Sequence, residues 1–326
     1  MTARPAEAPP RVSVVVVAPG LNDYGRRCLG RLIEVLEAGE PLEVIFVPDR
    51  EELLDELDDR IQVVASGSGV TTGRKRQLGL QLARGEYVAL VDDDAYPHAS
   101  WLRIALAVLD ADESIAAVAG PTLTPPDDTE LELLGGRVYA SPLVSGPARW
   151  RYEMVSSRDV DDAPSVNLIV RRSEAEAVGF DSEDRWGEDT LFCEGLLRRG
   201  GRIRYDPSVV VYHSRRPLWR PHLRQLYRWS RHRGAYARTV GGNSLRPAYF
   251  APSALLLFLA AGPFLRGAPR RAWAAGVLVY ALACGVAGAD SRPGRWWRVS
   301  GGIVATHLTY GSGFLAGLAG ARPVRG

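Results

Sequence analysis

Three consecutive carboxylates, Asp92-Asp93-Asp94, close an apolar run of five residues, Tyr87 to Val91. Neighbouring carboxylates repel one another, so a cation has to hold them if they are more than a solvated acidic turn. A hard divalent ion carrying a phosphorylated ligand, Mg²⁺ or Mn²⁺, suits oxygen ligands of this kind. A second acidic pair, Glu188-Asp189, follows Trp186-Gly187 and opens an amphipathic stretch from Thr190 to Arg199. Carboxylates in a helix's first turn gain from its dipole, so capping alone accounts for this pair unless it works with the first group. His213 ends a short strand-like segment, and Arg76 lies on the basic stretch that leads into the aspartates.

The elements that must position these groups can be read from pattern. Arg11 to Gly20 is a β-branched first strand stopped by Pro19-Gly20, and Tyr24 to Ala38 is an amphipathic helix. Leu42 to Val47 and Ile61 to Ala65 are further strands, with an acidic, exposed short helix expected over 50–60. Arg76, Leu78, Leu82 and Ala83 predict a helix that Gly85 stops. Tyr87 to Val91 has the character of a covered central strand, which places the aspartates at its carboxyl end, where open α/β sheets bind ligands. A helix over 101–109 and a strand over 115–119 follow, then an irregular loop from Pro125 to Asp162, a strand at 165–171 and a short helix at 172–178. Short strands over 203–205 and 209–212 lead to His213. The alternation predicts an α/β fold with a doubly wound, mostly parallel sheet.

Composition narrows the setting. The chain has 326 residues, 46% hydrophobic and 24% charged, room for one large domain and an appendage. Cys28, Cys193 and Cys284 are widely spaced, which excludes a disulfide framework or structural zinc site. The net charge of +2 conceals a segregation: residues 213–326 carry 17 arginines and one acid, leaving residues 1–212 at −14. Such a basic half suggests anionic lipid headgroups or another polyanion as neighbour. Residues 217–240 form an arginine-studded helix suited to a membrane interface, and three apolar stretches follow, Tyr249–Leu265, Ala272–Ala289 and Val299–Ala319. Three spans would put 266–271 and its arginines outside, against the positive-inside tendency, unless one stretch is re-entrant or interfacial. With a polar leader at 1–10 and no visible secretory signal, the catalytic part is expected on the cytoplasmic face of the cell membrane. The expected organisation is 1–10 leader, 11–214 catalytic domain, 215–247 basic interface helix and 248–326 membrane-associated region.

Five segments in order resemble the family 2 glycosyltransferases, inverting enzymes of GT-A fold. They are VSVVVVAP, RKRQLGLQLARGEYVALVDDDAYPHASWL, VNLIVRRSEAEAVGFD with GEDTLFCEGLLRRG, DPSVVVYH, and Gln225-Leu226-Tyr227-Arg228-Trp229, which fits a QxxRW pattern found in membrane-bound members. The resemblance covers roughly residues 11–230 and implies a metal-dependent transfer from a nucleotide sugar. It implies Asp94 as direct metal ligand, Asp92 on metal or ribose, Asp93 turned aside yet beside the nucleotide, and His213 near the metal or pyrophosphate. Asp189 is then the general base with Glu188 orienting it, and Pro19, Asp49 and Arg76 the nucleotide contacts. Trp186, Gln225, Arg228 and Trp229 fall to pyrophosphate and acceptor. The departures lie in the nucleotide half: Val47-Pro48-Asp49 replaces a longer acidic turn, Gln77 follows Arg76 where asparagine is usual, and Pro19-Gly20-Leu21-Asn22 replaces the usual first turn.

Other readings fit less of the chain. A dinucleotide-dependent dehydrogenase needs GxGxxG after the first strand, which PGLNDYG does not supply. A nucleic-acid binder explains the arginines but not both acidic motifs beside three apolar stretches, so no nucleic-acid partner is expected. A non-catalytic membrane scaffold of the same fold that binds nucleotide sugar is the remaining alternative. As acceptor, a lipid-linked saccharide or membrane glycolipid is favoured over a growing polysaccharide, since processive secreting synthases use more membrane helices than this chain holds.

Overall fold

The structure, a computed structural model, describes residues 10–39, 42–50, 57–180, 187–289 and 294–320. It divides into two compact units. The first comprises residues up to Leu123 and Glu153–His213; the second comprises Thr124–Tyr152 and Ser214 onward.

The first unit is built on an eight-stranded sheet. β1 (Val12–Val17) has every side chain buried, as its valine-rich run requires, and pairs in parallel with β2 (Leu42–Val47) and β4 (Tyr87–Asp92). β3 (Ile61–Val63) adds in parallel outside β2. On the other side the order continues through β9 (Leu168–Arg171), β6 (Ile115–Ala119), β10 (Arg202–Tyr205) and β8 (Arg158–Val160). β9 runs antiparallel to both of its neighbours, β4 and β6. A small second sheet holds β5 (Ala95–Pro97), β11 (Val211–His213) and β7 (Thr122–Leu123). The core lies between the main sheet and α1 (Asp23–Glu37) and α3 (Trp101–Ala111), around Val14, Val16, Leu32, Ala89, Leu102 and Ile169. Cys28 and Cys193 are buried free thiols in this unit.

Helix α2 (Thr72–Leu82) departs from the expected face. Lys75, Arg76, Gly79 and Leu80 are buried, whereas Leu78 and Leu82 are only partly covered. Gly79 explains this orientation: a Cβ there would lie 2.2 Å from Val15 Cγ1, so the missing side chain lets α2 close onto β1. Lys75 and Arg76, one turn earlier on the same side, are thereby carried to the sheet. α6 (Arg172–Val178) and α7 (Glu188–Arg198) complete the unit.

The expected loop over 125–162 is instead largely regular. It contains α4 (Glu130–Ala140), α5 (Pro142–Ser145), a 3-10 turn over Gly146–Arg151 and β8. Gly135-Gly136 reads as a breaker in sequence but sits inside α4, where a Cβ on Gly136 would come within 2.0 Å of Thr124 Oγ1. Close packing, not a turn, selects these glycines. The short helix expected over 50–60 falls mainly outside the described residues.

The second unit adds α8 (Arg220–Thr239), α9 (Pro247–Ala261), α10 (Gly267–Ala289) and α11 (Trp296–Leu318). Two helical stretches, Gly242–Phe264 and Gly267–Ala289, are long and apolar enough to cross a membrane, and only 11% of each is buried. Tyr139 anchors this unit's aromatic cluster, with its ring 5.2 Å from Tyr152, 4.7 Å from His222 and 6.4 Å from Trp229.

Candidate active site

Topology accounts for the convergence of the acidic motifs. β4 ends at Asp92, which lies in register with Val17 at the end of β1. Because β9 is antiparallel to β4, the turn that enters it, Ser165–Asn167, lies at the same carboxyl end; Leu168 pairs with Leu90. Asn167 fixes that turn. It accepts from Trp101 Nε1 at 2.9 Å and donates to the carbonyls of Pro121 and Val209 at 3.1 and 2.8 Å. Gly187, left-handed at φ 89°, starts α7 and places Glu188 and Asp189 in its first turn.

Arg76 ties these pieces together. Its side chain is only 4% exposed. Nη1 donates to Glu188 Oε1 and Asp189 Oδ1, both at 2.9 Å, and Nη2 donates to Asp92 Oδ1 at 2.7 Å. Ser165 Oγ adds a 2.5 Å hydrogen bond to the same Asp189 Oδ1. The acidic pair of α7 is therefore more than a solvated cap. Burial opposes the charge of the guanidinium, but Asp189, Asp92 and Glu188 outweigh it and hold the Arg76 pKa above its usual value. Burial raises the Asp92 carboxyl, with Arg76 pulling against it.

Asp94 and His213 form the next layer. His213 pairs with Ala95 across the small sheet, so its ring lies beside Asp94, with Nε2 3.1 Å from Oδ1. Asp93 points elsewhere, with Oδ2 3.5 Å from the Asn22 amide near the start of α1. Asp92 is turned to Arg76, and among the described residues no three His, Cys, Asp or Glu side chains converge as a ligand set. The expected trio of Asp92, Asp94 and His213 is thus not assembled; Asp94 and His213 are. Two protein ligands suit Mg²⁺ or Mn²⁺ of the type that completes its shell with water and substrate phosphates.

The nucleotide-side residues separate. Asp49, just past β2, forms an ion pair with Lys75, whose ammonium also donates to Ala18 O at 2.5 Å. Lys75 thus bridges the ends of β1 and β2 immediately before Pro19. Arg76, expected against nucleotide base and ribose, is engaged with carboxylates instead. Lys75 and Ser165 were not singled out as site residues by the motif reading. The one clue was that Lys75 is the chain's sole lysine among many arginines. Trp186 lies outside the described residues, and Gln225, Arg228 and Trp229 lie on α8 in the second unit.

Glu188 carries a measurable consequence. Burial, and then the charge of Asp189, raise its carboxyl from 4.5 to about 7 against the pull of Arg76. A proton held more tightly in the folded state stabilises fully below pH 4.5, and that contribution is lost as pH rises through about 7. The stability of the wild-type protein therefore falls with pH across this window, and Glu188→Gln flattens the fall. Unfolding midpoints measured from pH 4.5 to 7.5 check this; parallel profiles for the two proteins would contradict it.

Comparison with known proteins agrees with this architecture. Glycosyl transferase family 2 matches residues 13–160, and Glycosyl transferase family group 2 matches residues 87–287. The pre-mycofactocin glycosyltransferase of Mycobacterium tuberculosis is 28% identical over 250 residues, 74% of this chain and 50% of that protein. Glycosyltransferase AglE of Haloferax volcanii is 23% identical over 227 residues, 64% of this chain and 68% of that one. The chain therefore spans about half the length of the mycobacterial relative. Among solved structures, the mannosyltransferase PcManGT from Pyrobaculum calidifontis, in complex with GDP-Man and Mn²⁺, aligns at TM-score 0.58 and 19% identity over 97% of this chain and 89% of its own. That alignment shows a common GT-A fold, and the family matches, one of them over more than half of the sequence, make this chain a member of glycosyl transferase family 2.

Proposed function

We propose that this protein transfers a sugar from a nucleotide-diphosphate sugar to a membrane-associated, lipid-linked or glycan acceptor, with inversion and with a divalent cation. The observation that carries the reading is the Arg76 cluster, which gathers the acidic end of β4 and the acidic start of α7 into one site. The Mn²⁺ and GDP-Man named for PcManGT support a metal and a nucleotide-sugar donor here by kinship of fold.

Asp189 is assigned as general base. Arg76 and Ser165 both donate to Oδ1, which fixes the carboxylate and leaves Oδ2 as the oxygen assigned to take the acceptor's proton. The acceptor oxygen bonds to the anomeric carbon as the bond to the nucleoside diphosphate breaks, and the proton remains on Asp189. Attack from the face opposite the leaving group inverts that carbon. Glu188 accepts from the same Nη1 of Arg76 as Asp189 and so orients the base. Asp94 and His213 would hold the cation, which when bound supplies positive charge for the departing diphosphate. Asp49, held by Lys75, and Pro19 are assigned to the nucleoside, with Asp92 and Asp93 beside it. Trp186, Gln225, Arg228 and Trp229 are assigned to pyrophosphate and acceptor, since a guanidinium matches phosphate oxygens and an indole packs on a sugar face. The two exposed apolar helical stretches support a bilayer as the setting; the catalytic unit is assigned to its cytoplasmic face.

The test is turnover of UDP-, GDP- and TDP-sugars by detergent-purified protein with a membrane lipid extract, in Mn²⁺, Mg²⁺ or EDTA. One donor is expected to turn over only with cation, and Asp94→Ala to lower that rate roughly 100-fold. Nucleotide binding without turnover would favour the scaffold alternative, and EDTA-resistant turnover would remove the metal from the account.

A further inference from the structure

α10 and α11 are equally long, 23 residues each, and both are apolar, yet their surroundings differ. α10 buries only Cys284 and Gly288 and exposes Leu278, Val279, Leu282 and Val286. α9 buries only Ser253 and exposes Leu257 and Phe258. α11 buries nine residues, and much of that cover comes from α8.

The two helices run side by side from end to end. Leu218 meets Gly302, and His222 Nε2 lies 2.9 Å from Thr306 Oγ1. Further on, Ser230 meets Gly313, the Arg231 carbonyl meets Gly317, and Arg238 meets Gly320. Residue numbers rise together along both helices, so they are parallel. They are also close: a Cβ on Gly313 would come within 2.1 Å of Ser230 Oγ, and one on Gly317 within 2.0 Å of the Arg231 carbonyl oxygen. Wherever α8 lies in a membrane, α11 lies at the same depth. α8 carries arginines at 220, 224, 228, 231, 233 and 238, spread along its whole length. Arginine is among the costliest residues to place in hydrocarbon, so α8 stays out of it, and α11 stays with α8.

α9 and α10 meet α11 on the entry side, through Ser253 with Gly311, Phe250 with Phe314, Gly288 with Ser300, and Tyr280 Oη 2.8 Å from His307 Nδ1. They fold onto each other through Phe258 against Gly276, Trp273 against Gly262, and a 2.9 Å hydrogen bond from Trp273 Nε1 to the Phe258 carbonyl. Their apolar arms, 247–264 and 272–289, are each about 27 Å long at about 1.5 Å per residue, close to the roughly 30 Å of a hydrocarbon core. We propose that α9 and α10 cross the bilayer as a two-pass hairpin, and that α11 does not cross but lies beside α8 on the face where the hairpin enters. Charge fixes the direction. The entry end bears Arg246, Arg295, Arg298 and the six arginines of α8, with exposed Trp296 and Trp297 suited to the headgroup layer. The tip has only Arg266, Arg270 and Arg271, so the positive-inside bias puts the entry end in the cytoplasm. As in a three-span arrangement, 266–271 and its arginines lie outside, and the larger number of arginines at the entry end outweighs them.

The inference rests on the membrane setting proposed above and is independent of the transfer chemistry. Single cysteines are introduced at Leu245 before α9, Ala268 at the hairpin tip and Ala319 after α11, all exposed positions; the native Cys28, Cys193 and Cys284 are buried. The full chain in sealed vesicles is treated with a membrane-impermeant maleimide before and after lysis. Leu245→Cys and Ala319→Cys are expected to label from the same face and Ala268→Cys from the opposite one. Labelling of Ala319→Cys from the face opposite Leu245→Cys would show that α11 crosses and overturn the proposal. Labelling of all three from one face would show that the hairpin does not traverse, and overturns it equally. Release of the chain by alkaline carbonate would remove the membrane setting itself, while sugar transfer assayed on the same variants would report separately on the catalytic reading.

Discussion

Replacing Asp189 with asparagine is expected to lower the rate of sugar transfer by roughly 10²–10⁴-fold, the range for loss of a general base. Asparagine keeps an acceptor oxygen for Arg76 Nη1 and Ser165 Oγ, so the network around Oδ1 survives the change. What it removes is the ability to hold a proton, the role proposed for Asp189. The loss should therefore fall on kcat, with KM for the nucleotide sugar and its binding by calorimetry changed no more than a few-fold. Steady-state kinetics on the identified donor separate the cases. An unchanged kcat would place the base elsewhere, and a loss confined to KM would make Asp189 a binding residue. Glu188→Gln, which leaves Asp189 in place, should give a smaller loss.

The second large effect is on stability. Arg76→Met keeps a long side chain but removes the cation that Asp92, Glu188 and Asp189 share. Deleting one partner of a buried ion network costs about 3–5 kcal/mol, because the remaining charges stay buried without compensation. The effect should sit toward the lower end, since the Asp92 and Asp189 side chains each retain 29% exposure and are partly screened by water. Protonation offers relief: burial raises the Glu188 and Asp92 carboxyls, so as pH falls and these two take up protons, the gap between variant and wild type should close. Urea unfolding at pH 7.5 and pH 5 measures both. A variant within 1 kcal/mol of wild type at pH 7.5 would show that Arg76 is not the keystone of the cluster.

Much of the first unit is legible in the sequence because its signals are local. The β-branched run of β1, the amphipathic α1 and the apolar β4 ending in aspartates each declare their type within a few residues. The acidic pair at 188–189 and His213 also stand at element boundaries, where function concentrates in α/β sheets. What escapes is non-local. The antiparallel insertion of β9 between β4 and β6 leaves no mark on its four residues, yet it delivers Ser165 to Asp189. Arg76 reads as a nucleotide contact through the family resemblance, although Gln77 departs from its pattern, but a bare glycine at 79 lets α2 sink until the guanidinium meets three carboxylates. The segment over 125–162 reads as loop because its glycines serve close packing within α4 rather than turns. Val299–Ala319 resembles a span by hydropathy alone; its packing against α8, α9 and α10 shows how much of it is covered by protein.

The most direct test of the catalytic account is the anomeric configuration of the transferred sugar. With the donor identified, the product of a single turnover is examined by proton NMR before any mutarotation or further processing. A single displacement with Asp189 as base yields a product whose anomeric configuration is opposite to that of the donor. A product of retained configuration would require a different course at the anomeric carbon and would contradict the roles assigned to Asp189, Glu188 and Arg76.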